Sequence, residues 1–139
     1  MKPPDTVLRE LVIQWLQKAD QDFAAAAHLV SQPDRFREIV AFHCQQAVEK
    51  YLKAVLVQRR VEFPKTHDIR KLQESVAAID ADLAELLRDA DTLTPFGVEV
   101  RYPSDAPELP PGGETEAFVI AGRVRDAVMA ALRDYLGGG

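Results

Sequence analysis

Apolar residues recur near the start of the chain at Leu8, Leu11, Val12, Trp15, Leu16, Ala19, Phe23, Ala26, Ala27 and Val30, with neither proline nor glycine between Asp5 and Gln32. Steps of three and four keep one helix face apolar over several turns. Pro4-Asp5 suits the start of that helix, and Pro33-Asp34 breaks it. A second run, over about residues 35–60, places Val40, Cys44, Ala47, Val48, Tyr51, Leu52 and Val55 on a core face. Two long helices with a short connection predict an antiparallel hairpin. After Pro64, Thr66 is a candidate N-cap for a shorter helix through Val76, with Ile69 and Leu72 inward. A fourth segment, about residues 81–91, carries Leu83, Leu86 and Leu87. Over residues 92–113 the periodicity gives way to prolines and glycines, and a loop of that length in a small domain is functional or disordered as a rule. A last helix over about residues 114–136 turns Phe118, Ala121, Val124, Val128, Leu132 and Tyr135 inward, and the glycines at 137–139 read as a flexible tail. The prediction is an all-α fold: one domain over residues 1–139, an up-and-down bundle of about five helices.

Charge changes the picture only by exclusion. Seventeen Lys and Arg stand against 22 Asp and Glu, a net charge of -5. No global positive field gathers nucleic acid, so phosphate would have to be held by a local basic patch. The single cysteine, Cys44, sits inside an amphipathic pattern, which predicts neither a disulfide framework nor a metal cluster. Met-Lys-Pro-Pro-Asp lacks the apolar core of a signal peptide. No apolar run approaches the roughly 20 residues that cross a bilayer. The expectation is a cytoplasmic protein without a membrane segment.

Polar residues inside apolar arcs carry more information. Asp22 projects into the apolar arc of the first helix, and a carboxylate there is costly unless it is paired. On the second helix Gln46, Glu49, Lys50 and Lys53 form one strip, with Phe42 and Val57 on the same side. That helix is therefore expected to be covered on more than one side, with a partly solvated polar strip. Glu49 and Lys53 also have the spacing of an ordinary surface pair, worth about 0.2–0.5 kcal/mol. The sharper expectation is that Asp22 pairs with Lys50 or Lys53 and fixes the register of the hairpin. Arg125 falls in the apolar arc of the last helix. It either snorkels from a core edge or faces an acid or a subunit interface.

The stretch Ala41-Phe42-His43-Cys44-Gln45-Gln46-Ala47-Val48-Glu49-Lys50-Tyr51-Leu52-Lys53-Ala54 closely resembles the central-helix signature of HEPN domains, the nucleotide-binding-type domains of prokaryotes and higher eukaryotes. Trp15, Ala19, Asp22 and Phe23 resemble the family's first-helix pattern. Lys65-Thr66-His67-Asp68-Ile69 and Arg101-Tyr102-Pro103 resemble its later motifs, in the expected order. The resemblance covers about residues 15–103, with a matching final helix. It implies a helical bundle without a cofactor, a homodimer, and in many relatives a minimal nucleotidyltransferase as partner in a toxin–antitoxin or related pair. Some relatives are metal-independent ribonucleases. They use an arginine, four to six intervening residues and a histidine near the start of a late helix, in two sites that face each other across the dimer. Histidine then acts as general acid or base on a 2′-hydroxyl while arginine stabilises phosphate charge.

This chain holds only His28, His43 and His67, and none follows Arg101, so that motif is missing where it belongs. Arg37 and His43 have a similar spacing but lie about 240° apart on one helix. Arg60 and His67 are separated by a proline-containing loop. The resemblance and the residues together favour a non-catalytic binding module, a homodimer that binds a nucleotide or RNA or works with a minimal nucleotidyltransferase. Lys65, His67 and Arg101 would contact phosphate near a helix N-terminus, although the commoner role for a residue placed like His67 is hydrogen bonding at the helix start beside Thr66. Asp22, His43, Gln46, Glu49, Lys50 and Lys53 would form a polar strip or interface; His43 reads as packed or interfacial and His28 as surface. Two rivals remain: a metal-independent ribonuclease with a non-standard site built on His43 or His67, and a structural bundle whose exposed face binds another protein's helix.

Overall fold

Helices α1 (Asp5–Leu29) and α2 (Pro33–Gln58) form the predicted antiparallel hairpin in a computed structural model that describes residues 4–97 and 109–137. The direction shows in contacts at both ends. Arg60, just past α2, meets Asp5 at the start of α1 at 2.8 Å, while Asp22 late in α1 meets His43 early in α2 at 2.9 Å. Helices α3 (Ile69–Ile79) and α4 (Ala81–Leu86), a 3-10 segment (Arg88–Gly97) and α5 (Gly113–Gly137) complete the bundle. Among the described residues there is no strand, and no helix is long and apolar enough to cross a membrane.

Helix α2 is the axis. It packs against α1, α3, α5 and the 3-10 segment, and every residue from Ala47 to Leu56 except Lys50 is buried. A helix surrounded by neighbours has no side left for free charges. Its polar residues must therefore find partners within the protein. Around it the core takes Val12, Leu16 and Ala19 from α1, Ile69, Leu72 and Val76 from α3, and Ala121, Val124, Val128 and Leu132 from α5.

Several boundaries differ from the sequence reading. Pro33 does not merely end α1; it occupies the first turn of α2, where its missing N–H costs nothing. The N-cap of α3 is Asp68, whose carboxylate accepts from the Arg70 amide at 3.0 Å. Thr66 acts one step earlier, its hydroxyl accepting from the Asp68 amide at 3.0 Å. The fourth helix stops at Leu86 and the chain tightens into the 3-10 segment, so residues 92–97 are helical where a loop is expected. Leu86, assigned inward by α-helical spacing, is 66% exposed. Leu11 and Ala27 are exposed as well. Of the rest of the expected loop, residues 98–108 lie outside the described residues, as do the last two glycines; residues 109–112 are outside any helix, and Gly113 and Gly137 belong to α5.

Helix α5 is anchored at both ends. Glu114 in its first turn is buried beside Arg37, with Nε–Oε2 at 3.6 Å, an acid placed where the helix dipole favours it. At the other end Arg9 donates to the Leu136 carbonyl at 2.7 Å.

Candidate functional site

Three residues at intervals of four, Gln45, Glu49 and Lys53, run along one line of α2, and all are buried. The adjoining line carries His43, Gln46 and Lys50, each half-buried. At 100° per residue the two lines form a single polar seam. Its centre is Glu49, which is 3% exposed. Glu49 Oε1 accepts from the Gln45 amide at 3.3 Å and lies 2.8 Å from His67 Nδ1, while Oε2 accepts from Lys53 Nζ at 3.1 Å. Gln45 also donates to the His67 carbonyl at 3.0 Å and accepts from Gln46 at 2.7 Å. Lys53 in turn lies 5.3 Å from the Trp15 ring centre and 5.8 Å from that of Phe63, a cation between two aromatic rings. Glu49 and Lys53 are thus a buried, fully partnered pair and not a solvated one.

The network leads out to His67, whose ring is 69% exposed although its Nδ1 is anchored on the buried carboxylate. Three backbone bonds hold the chain there, two of them local and one reaching the 3-10 segment. Asp68 N–H goes to Thr66, Arg70 N–H to Asp68, and Ile69 N–H to the Thr94 hydroxyl at 3.2 Å. Those amides were the expected phosphate donors of a helix N-terminus. They are already occupied, and the Asp68 carboxylate at the cap repels an anion there, so the amide part of that expectation is corrected. Lys65 and His67, two residues apart in sequence, are both exposed. Arg101, the third residue expected with them, lies outside the described residues.

A second imidazole is held the same way. His43 Nδ1 lies 2.9 Å from Asp22 Oδ1, and Lys50 Nζ lies 2.5 Å from Oδ2. Asp22 therefore takes Lys50 and His43, and Lys53 belongs to Glu49. On the far side of α1, the Tyr51 hydroxyl donates to Asp20 at 2.5 Å. Burial and that bond push the Tyr51 hydroxyl above its ordinary range, with nearby Arg125 acting the other way. Arg125 lies 3.8 Å from Asp20 and 5.5 Å over the Phe23 ring, so it leaves the core edge and also faces an acid. His28 is exposed.

Gln45 is the functional candidate the sequence reading passed over. The signal was available: its neighbours one turn either way, Ala41 and Val48, are apolar and buried, the same anomaly that marks Asp22. Gly97 backs it so closely that an added Cβ would lie 2.4 Å from Gln45 Cδ. A separate groove of about 540 Å³ between the 3-10 segment and α5, lined by Leu93, Phe96, Leu109 and Ile120 among others, includes none of the seam residues.

The family model described as HEPN domain matches residues 12–131 of the chain. No curated protein and no solved structure matches it significantly.

Proposed function

This chain belongs to the HEPN domain family, and from that premise we propose that it is a non-catalytic module that binds a nucleotide or an RNA end. The observation that carries the reading is His67: an exposed ring whose inner nitrogen is fixed by a buried, fully partnered carboxylate. A side chain held in that way loses little freedom on binding, which is what preorganisation contributes to affinity. Lys65, His67 and Arg101 contact the phosphate-bearing end, and His43, Gln46 and Lys50 extend the polar surface. Lys50 and Lys53 are already neutralised by Asp22 and Glu49. Few free cations at the seam and a net charge of -5 favour a small ligand over a long nucleic acid, whose affinity rests on many phosphate contacts. Ile39 and Phe42, exposed one turn apart on α2, support a homodimer through that face. A minimal nucleotidyltransferase in a toxin–antitoxin-like pair is the partner that family resemblance suggests.

Thermal shift with ATP, GTP and a short RNA tests the reading. A saturating ligand raises the melting point, as expected for a stabilisation of about 2.7 kcal/mol at a hundredfold excess over Kd. Lys65→Ala and His67→Ala reduce that shift. No shift with any of the three would contradict the binding role.

One observation favours a second reading. A carboxylate–imidazole pair with an exposed ring is also the arrangement of a general base, so His67–Glu49 is the place for a metal-independent ribonuclease site of non-standard form. RNA cleavage in EDTA that is lost in His67→Ala and retained in His43→Ala would establish it.

A further inference from the structure

We infer that neutral His67 presents a hydrogen-bond acceptor to its ligand and recognises a ribose hydroxyl, leaving phosphate to Lys65; the inference rests on the nucleotide-binding reading above. Glu49 Oε1 faces the Gln45 amide nitrogen at 3.3 Å and His67 Nδ1 at 2.8 Å, and Oε2 faces Lys53 Nζ at 3.1 Å. The amide nitrogen of glutamine and the ammonium of lysine can only donate. With such donors converging on it, Glu49 is the acceptor, and a carboxylate acceptor requires its hydrogen-bonded imidazole nitrogen to carry the proton. His67 Nδ1 is therefore N–H. In the neutral ring this is the one N–H, and Nε2 then holds a lone pair.

Position then determines what that lone pair can meet. Glu49 is 3% exposed and the His67 ring 69%, so the edge remote from Glu49 is the one a ligand reaches. An outward lone pair repels phosphate oxygens, which are acceptors too, and seeks a donor. In a nucleotide the donors beside the phosphate are the ribose hydroxyls. Lys65, exposed two residues earlier, supplies a cation for the phosphate attached to the same sugar. His67 and Lys65 thus divide the sugar and phosphate between them, and the pair distinguishes ribose from a sugar that lacks hydroxyls.

Calorimetric titration of ATP against 2′,3′-dideoxy-ATP in mildly alkaline buffer tests this directly. The wild-type protein is expected to bind ATP roughly three- to tenfold more tightly, the effect of one net hydrogen bond, and His67→Ala to bind both alike. Nitrogen-15 spectra of the unliganded wild-type protein provide a test that needs no variant: His67 should show Nδ1 protonated and Nε2 not. Equal wild-type affinity for the two nucleotides would overturn the inference and leave the nucleotide-binding reading in place. A preference for ATP that survives in folded His67→Ala, or a spectrum with Nε2 protonated and Nδ1 bare, would also overturn it. Binding of neither nucleotide would overturn the binding reading, and this inference with it.

Discussion

Glu49 makes the burial of mid-α2 possible. Taking its carboxylate and the Lys53 ammonium out of water costs several kcal/mol per ion, and the cost is recovered only because every oxygen of Glu49 has a donor. Glu49→Ala strands the Lys53 ammonium, 9% exposed, without its carboxylate. Urea denaturation should show a loss of about 3 kcal/mol, and a change below roughly 0.5 kcal/mol would show that the pair is not structurally important. Cys44 gives a second residue-scale test. Burial pushes its thiol from 9.0 up to about 12. The folded state therefore keeps a proton that the unfolded chain gives up, and this contribution is complete below pH 9 and lost as pH rises to about 12. Stability measured across that window should fall with pH, and less steeply in Cys44→Ala; equal slopes would place the thiol in water. Asp22 was legible in the sequence because one charge inside an apolar arc demands a partner. Its choice of Lys50 over Lys53 was not, because both lie on the same strip and only the helix packing tells them apart. Glu49 was ambiguous for a related reason: the spacing of a solvated pair and of a buried one is identical.

At the scale of elements, the long helices were legible from periodicity because each buries one continuous face against α2. The 3-10 segment was not, although its pattern is there to read. Leu87, Ala90 and Leu93 are buried and Phe96 half-buried at steps of three, the period of a 3-10 helix. Ten-residue runs of that geometry are uncommon, and Pro95 with Gly97 resembles a loop by composition. The cap of α3 was misplaced by two residues, since Thr66 and Asp68 both accept from amides and only geometry decides which opens the helix. This segment matters to the site because its last residue, Gly97, packs on Gln45. Gly97→Ala forces a methyl group into the Gln45 amide, and such overpacking costs about 1–3 kcal/mol. It should also disturb the Glu49–His67 contact that Gln45 supports, seen as a change in the His67 nitrogen-15 signals. Unchanged stability and unchanged signals would mean that Gln45 yields freely and holds nothing in place.

The molecule as a whole is an acidic helical bundle whose most enclosed helix carries its polar chemistry. Two carboxylates near that helix, Asp22 and Glu49, each hold a lysine and an imidazole, so charge is satisfied internally and one ring, His67, is left facing out. For the proposed ligand, affinity would then come from a few fixed contacts, which suits a small phosphate-bearing molecule. The most direct test follows the three histidine rings by NMR while ATP is added. The His67 signals should move saturably, with the exposed His28 unaffected, and the movement should be reduced in Lys65→Ala at the same nucleotide concentration. Saturable ATP binding that leaves the His67 signals in place would contradict it.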